Sequence, residues 1–119
     1  MEILEVAQQI QSIIAEIGKS RRDIEVKGKA KAKAISDYDR KMAITLATLR
    51  NSETYELAGK TYKQPPVSIL EKIAKGLCVD EGYQKEIAES GYKSVISNLE
   101  ALKAQLNGFQ SIFRFLDET

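Results

Sequence analysis

Residues 92–116 read YKSVISNLEALKAQLNGFQSIFRFL, and this stretch decides the fold. Apolar residues recur in it at alternating intervals of three and four, which places them on one narrow stripe of a helix. The stripe consists of Tyr92, Val95, Leu99, Leu102, Leu106, Phe109, Phe113 and Leu116, so all eight of its positions are apolar. The spacing therefore predicts a long helix over residues 80–117, with Asp80 as its N-cap.

A second long helix is predicted over residues 1–50, where a seven-residue repeat occurs as two sets of positions. One set is Ala7, Ile14, Arg21, Gly28, Ile35, Met42 and Leu49, and the other is Ile3, Ile10, Ile17, Ile24, Lys31, Tyr38 and Thr45. Ten of the fourteen positions are apolar, and the preserved register favours one continuous helix. The alternative is a break at Gly18, after which Ser20 and Asp23 form a capping box that opens another helix.

The segment between the two long helices predicts a β-hairpin and a short helix. Strand-favouring residues flank Gly59, so residues 53–64 are expected to pair around a three-residue loop. In that register Glu56 faces Lys60, and Tyr55 faces Thr61. Two prolines follow at 65 and 66, and then Ser68 and Glu71 form a capping-box pattern. The short helix is expected over residues 68–77, ending near Gly76.

Each long helix has one apolar stripe and is otherwise polar, so neither can bury its stripe alone. The connecting segment of about 30 residues lets the chain reverse. The sequence therefore predicts a mainly α, single-domain protein of residues 1–119. Its fold is a long antiparallel helical hairpin, coiled-coil-like, with the β-hairpin and the short helix at the turning end.

The lengths of the two helices predict a self-associating chain. Counted back from the turn, the last helix covers the first only from Leu49 to about Ala15. Ile3, Ile10 and Ile14 would then be exposed, and exposed apolar stripes usually mark interfaces. We therefore expect a homo-oligomer, favouring a dimer that forms a four-helix bundle. The alternative is a monomeric bundle, in which a break at Gly18 supplies a third helix.

The composition excludes several classes of site. The 119 residues carry a formal charge of +1, contain no histidine and include one cysteine, Cys78. An internal disulfide and a metal site rich in histidine or cysteine are therefore excluded, and we expect no cofactor. The first residues do not resemble a signal peptide, and no apolar run is long enough to cross a bilayer. These features predict a soluble, cytoplasmic protein without a membrane partner.

A basic segment is the strongest local charge feature. Residues 19–33 contain Lys19, Arg21, Arg22, Lys27, Lys29, Lys31 and Lys33 against two acidic residues, a net charge of +5. In the predicted hairpin this segment lies opposite residues 97–111. The charged residues of that range are Glu100 and Lys103, whose charges cancel. The basic segment could contact the phosphates of a nucleic acid. A solvated helix face explains the same pattern, and the segment lacks aromatic residues for stacking on bases.

No group of residues in the sequence forms a catalytic constellation. The five tyrosines could form a recognition patch, although amphipathic packing explains them as well. Cys78 has no histidine to activate it and is expected to be a small buried residue near a helix end. Glycine-rich phosphate loops and Glu-x-x-His pairs are absent. We therefore expect a non-enzymatic protein.

Four stretches resemble small uncharacterised proteins encoded by bacteriophages and prophages. They are the Ala- and Lys-rich lead into Tyr38, KMAITLATLR at 41–50, PPVSILEKIAKG at 65–76, and residues 88–111 with their YKSVISNLEALKAQLNGFQS ending. The resemblance covers the chain from about residue 30 onward. It implies a helical hairpin from a phage-derived gene, and it implies no activity or functional residues.

These observations favour an oligomeric interaction protein that binds another phage or host protein. The alternative is a nucleic-acid-associated accessory factor that uses the basic segment 19–33.

Overall fold

A computed structural model describes residues 2–118 of the protein. Its helices are α1 (Ile3–Asn51), α2 (Leu70–Leu77) and α3 (Val79–Glu118), its strands are β1 (Thr54–Leu57) and β2 (Lys60–Lys63), and a 3-10 turn spans Val67–Ile69. The fold is the predicted mainly α hairpin of two long helices with a two-stranded antiparallel sheet and a short helix. α1 runs unbroken through Gly18, so the continuous-helix prediction is confirmed. Met1, which the predicted helix included, lies outside the described residues.

The chain packs as two compact units. Among the described residues, unit 1 comprises 2–29 and 90–118, which hold the first part of α1 and most of α3. Unit 2 is Ala30–Glu89, which holds the rest of α1, the β-hairpin, α2 and the first turns of α3.

In unit 1, the predicted stripe of α3 is the packing face. Ile13 and Ile17 of α1 are buried against Leu102 of α3, and three further stripe residues, Leu99, Leu106 and Phe109, pack around them. The four other stripe residues are half-buried. Because every stripe position is at least partly covered, the alternation of three and four identified the packing face of α3 correctly.

The packing face of α1 in unit 1 differs from the predicted repeat. Ile14 and Arg21 are exposed, and the residues that precede each of them, Ile13 and Ser20, are buried. Ala7 and Gly18 are partly covered, and the other covered positions form a series, namely Val6, Ile10, Ile13, Ile17, Ser20, Ile24 and Gly28. The intervals from Ser20 to Ile24 and from Ile24 to Gly28 are both four residues, whereas a strict heptad alternates four with three. The covered positions therefore shift by one residue relative to a strict heptad. Such a shift compensates for the drift of a 3.6-residue helix against a seven-residue period.

The prediction that α3 covers α1 only from Leu49 to about Ala15 is wrong, although Ile3 and Ile14 are exposed as predicted. In unit 1, a methyl group built on Gly28 would lie 3.5 Å from Cε2 of Tyr92, which aligns residue 28 with residue 92. In unit 2, a methyl group on Gly82 would lie 3.4 Å from Cε2 of Tyr38. α3 therefore begins beside Tyr38 and not beside Leu49, and it pairs with α1 about ten residues closer to the N-terminus than expected.

The reason for this offset lies in unit 2. The last turns of α1 pack against α2, where Leu49, Leu70 and Ala74 form a buried cluster. α3 is therefore not needed to cover that end of α1. In unit 1, Val6 is accordingly fully buried and Ile10 half-buried, whereas Ile3 keeps 39% and Ile14 53% of its surface exposed.

Two predicted helix caps are not formed. The 3-10 turn precedes α2, whose N-cap is Ile69 without a side-chain hydrogen bond, so Ser68 and Glu71 do not form a capping box. α2 continues through Gly76 to Leu77. Asp80 lies in the first turn of α3 and is not its N-cap, because the helix already begins at Val79. As a first-turn carboxylate, Asp80 still interacts favourably with the positive end of the helix dipole.

The β-hairpin is present, but its register is one residue from the predicted one. Leu57 pairs with Lys60 and Tyr55 with Tyr62. The loop therefore has two residues, Ala58 at φ 53° and Gly59 at φ 78°, as a type I′ turn requires. The prediction assumed a three-residue loop with Gly59 in the left-handed region, whereas the structure places Ala58 there as well.

Candidate protein-interaction groove

A groove lies between α1 and α3 in unit 1. It has a volume of about 470 Å³ and is lined by Ile14, Ile17, Gly18, Arg21, Lys103 and Leu106. Positions 14, 17, 18 and 21 share one side of α1 because they are three or four residues apart. Ile14, Ile17 and Leu106 supply apolar surface, and Arg21 and Lys103 place one cation on each wall. We call this surface the unit 1 groove.

Gly18 leaves a gap in the α1 wall of the unit 1 groove. No atom lies within 4 Å of where its Cβ would be, so the space is open. Next to the gap, Ile14 exposes 53% of its surface. The groove can therefore accept an apolar side chain from another molecule between Ile14 and Arg21.

A second exposed surface of unit 1 runs along α3, away from its packing face. Its residues follow one another at intervals of three and four, and all of them are exposed and uncharged. They are Ser90, Ser94, Ser97, Ala101, Ala104, Gly108, Ile112 and Phe115, and we call them the outer seam. The first six are small, whereas Ile112 and Phe115 are large and expose 43% and 66% of their surfaces.

The basic segment does not lie where the sequence predicted. In unit 1, Cδ of Lys27 lies 4.0 Å from the position of a Cβ on Gly91, so residues 19–29 face about 91–101, not 97–111. Lys29 forms an ion pair with Glu25 at 3.3 Å, and in unit 2 Lys33 forms one with Asp37 at 3.0 Å. Both pairs join residues four apart on exposed helix surface and contribute little stability. Asp37, which lies outside residues 19–33, therefore offsets one positive charge of the predicted +5, which already includes Glu25.

Cys78 is fully buried at the junction of α2 and α3, as expected. Its Sγ lies 3.3 Å from Oγ1 of Thr45, and either atom can donate that hydrogen bond.

The tyrosines are divided between packing and exposure. Tyr55 stacks on Tyr62 with ring centroids 5.4 Å apart, and Nζ of Lys85 lies 4.7 Å from the ring centroid of Tyr38. In unit 1 the ring of Tyr92 lies against Gly28. Tyr83 exposes 62% of its surface. These contacts support amphipathic packing for Tyr38, Tyr55 and Tyr92.

A smaller groove lies in unit 2 between the end of α1, β1 and the end of α2. It has a volume of about 370 Å³, and its lining includes Ile44, Thr48, Tyr55 and Leu77. Lys41 and Glu56 also line it, so its charges are of both signs. This groove therefore offers less charge selectivity than the unit 1 groove.

Comparisons with protein-family models, curated proteins and solved structures find no match to this chain. Within residues 2–118, none of the helices combines the length and apolar character that crossing a membrane requires.

Sequence reasoning put Ile14 and Arg21 in one set of heptad positions, but it assigned them different roles, as an interface residue and a possible phosphate contact. The structure places both in the unit 1 groove with Lys103. One signal could have linked Ile14, Gly18 and Arg21, namely their spacing of four and three along α1. Lys103 could not have been added without the offset between α1 and α3.

Proposed function

We propose that the protein is a non-enzymatic, phage-type interaction protein of the cytoplasm that binds another protein through the unit 1 groove. The observation that carries this proposal is an apolar groove with a cation on each wall, beside an isoleucine that exposes 53% of its surface. Exposed apolar surface bordered by polar groups is typical of protein interaction sites. The resemblance to phage-encoded helical proteins supports a partner from a phage or its host.

Photocrosslinking in the cells that encode the protein tests this proposal. A photoreactive p-benzoylphenylalanine replaces Ile14 in the groove, and in a matched control it replaces Ser12, which lies two residues away on another face. A crosslinked complex with another protein is expected from position 14 and not from position 12. Equal crosslinking at both positions, or none from position 14, would show that the groove is not the binding surface.

We also propose that the protein forms a dimer, with a second copy seated on the outer seam. An antiparallel pair of α3 helices centred between Ala101 and Ala104 would place Phe115 of each copy over Ser90 of the other. It would likewise place Ile112 over Ser94. Large side chains then face small ones along an uncharged surface, which favours close helix packing. This interface differs from the one predicted at Ile3, Ile10 and Ile14, of which Ile3 and Ile14 are exposed and Ile10 is half-buried.

Sedimentation velocity with a charge at the centre of the outer seam tests the dimer. Ala101→Glu would place two like charges near each other across the dyad, and because Ala101 is exposed in the chain, folding should be unaffected. Asn107→Glu adds the same charge at an exposed position outside the seam. Dimers are expected for the wild type and Asn107→Glu, and monomers for Ala101→Glu. A monomeric wild type at high concentration would rule out the dimer.

A second candidate function is binding of nucleic acid, favoured by one feature of α1. Lys19, Arg22 and Lys29 are exposed and lie three and seven residues apart, on one face. Binding to duplex DNA through these residues should weaken steeply with salt and disappear in Lys19→Glu, Arg22→Glu. Absence of binding at low salt would eliminate this function.

A further inference from the structure

The unit 1 groove has a shape into which a third helix can pack. Its walls are two packed helices, and residues of a third helix can fit between the ridges that their side chains form. The open space at Gly18 is suited to one large apolar side chain from that helix, as a knob fits into a hole. Glycine is also a poor helix former, yet α1 continues through it.

The charges of the groove select the partner. Arg21 projects from α1 and Lys103 from α3, while Ile14, Ile17, Gly18 and Leu106, the other lining residues, are uncharged. On α1, Glu16 and Asp23 lie two residues from Gly18 and Arg21 and point to other faces, and Glu25, which shares the face of Arg21, pairs with Lys29 at 3.3 Å. On α3, Glu100 precedes Lys103 by three residues, but it does not line the groove. An occupant with carboxylates on both sides of its apolar stripe would therefore pair with both cations. Arg21 can also hold a carboxylate through two parallel hydrogen bonds.

We propose that the unit 1 groove binds an acidic amphipathic helix of a partner protein. This inference rests on the proposed function and names the chemistry of the partner. One large apolar side chain of the partner enters the gap at Gly18, and acidic residues on its two flanks contact Arg21 and Lys103. The mode is that of an amphipathic helix in a groove, in which apolar anchors supply affinity and flanking charges supply selectivity.

Two fluorescent peptides serve as probes in an anisotropy titration. Each is a helix of about 18 residues with a stripe of leucines at intervals of three and four. In one peptide glutamates flank the stripe, and in the other lysines do. The wild type is expected to bind the glutamate peptide at least about tenfold more tightly than the lysine peptide. The double variant Arg21→Glu, Lys103→Glu is expected to reverse this preference, a result that unfolding cannot produce.

A variant that fills the gap tests the site of binding. Gly18→Leu closes the space next to Ile14 and should weaken binding of the glutamate peptide by at least about tenfold. Ser12→Leu adds the same side chain to an exposed face of α1 outside the groove and should leave binding unchanged. Circular dichroism should show both variants folded, because no atom lies within 4 Å of a Cβ at Gly18.

Equal binding of the two peptides, or no reversal in the double variant, would overturn the proposal. Loss of binding in Ser12→Leu as well would place the peptide elsewhere and would also overturn it.

Sodium decanoate tests whether the groove binds a single-chain anion in place of a helix. If decanoate binds with the same dependence on Arg21 and Gly18 and the glutamate peptide does not, the occupant is not a helix. A crosslink from position 14 together with equal peptide binding would keep the proposed function and reject only the acidic helix.

Discussion

Ser20 is a polar residue on the packing face of α1. It exposes only 2% of its surface, and its hydroxyl has no hydrogen-bond partner. A buried hydroxyl that has lost water without gaining a partner destabilises the folded state by about 1–3 kcal/mol. Ser20→Ala should therefore raise the free energy of unfolding by about 1 kcal/mol, with a further gain from helix propensity. Urea denaturation followed by circular dichroism measures the change.

The control for Ser20 is Ser12, which is exposed on the same helix. Ser12→Ala reports the gain in helix propensity alone, about 0.5 kcal/mol. The prediction fails if the two substitutions have the same effect, since that would mean that the Ser20 hydroxyl costs nothing in the folded state.

Ala58 has a backbone conformation that alanine rarely adopts. Its φ of 53° is left-handed, a conformation that Asn and Gly adopt far more readily. Ala58→Asn would complete the Asn-Gly pair typical of a type I′ turn and should stabilise the protein by about 0.5–1 kcal/mol. The melting temperature should rise by a few degrees.

A substitution of Gly59 should destabilise the turn, in contrast to Ala58→Asn. Its φ of 78° penalises any side chain, so Gly59→Ala should lower the melting temperature. A neutral Gly59→Ala together with a neutral Ala58→Asn would show that the turn conformation does not contribute to stability.

Among the elements, the β-hairpin contacts the end of α1 through the packing of Tyr55 and through the side chain of Gln64, which follows β2. Nε2 of Gln64 donates hydrogen bonds to the carbonyl oxygens of Leu49 at 3.2 Å and Arg50 at 2.8 Å. These carbonyls have no partner within the helix and form the negative end of its dipole. Gln64→Glu replaces the donor by a negative acceptor and should cost about 1–2 kcal/mol.

A lysine at position 64 separates the effect of the hydrogen bond on stability from the effect of the charge. Gln64→Lys keeps a donor and adds a positive charge that the dipole favours, so it should be less destabilising than Gln64→Glu by about 1 kcal/mol. Urea denaturation of the two variants measures this difference. Equal losses would indicate that the side chain acts only through its packing.

The sequence predicted which elements form and which side of α3 is packed, because both depend on local spacing. The apolar stripe from Tyr92 to Leu116 needs only the geometry of one helix. Whether α2 or α3 covers Leu49 is a competition between distant segments, and no local pattern reports its outcome. That competition sets the offset between α1 and α3. The predictions that needed the offset, namely how far α3 reaches along α1 and which residues face the basic segment, were therefore wrong.

The unit 1 groove could not be predicted from the sequence either, because it also depends on the offset between α1 and α3. It combines Arg21 of α1 with Lys103 of α3, and their proximity depends on the offset. The hairpin register was missed for a different reason. The prediction assumed a three-residue loop, whereas the pairing of Tyr55 with Tyr62 leaves a two-residue loop in which Ala58 is also left-handed.

At the scale of the whole molecule, little apolar surface is fully buried. Besides Pro65, eight apolar side chains are buried within residues 2–118. A small domain with a core of this size gains stability when a second copy covers further apolar surface. The proposed dimer through the outer seam would supply that surface, and its formation would then be coupled to folding.

Coupling of folding to dimerisation makes the melting temperature depend on protein concentration. If the dimer unfolds to separate chains, the melting temperature should rise by about 3 °C for each tenfold increase in concentration. The double variant Ile112→Ser, Phe115→Ser should abolish this dependence, since these exposed side chains reach the second copy and contribute less to the single chain. The matched variant Leu4→Ser, Val26→Ser changes two side chains that expose 66% and 64% of their surfaces outside the seam and should keep it. Differential scanning calorimetry over a hundredfold concentration range decides the matter, because a wild-type melting temperature independent of concentration would contradict coupled folding and dimerisation.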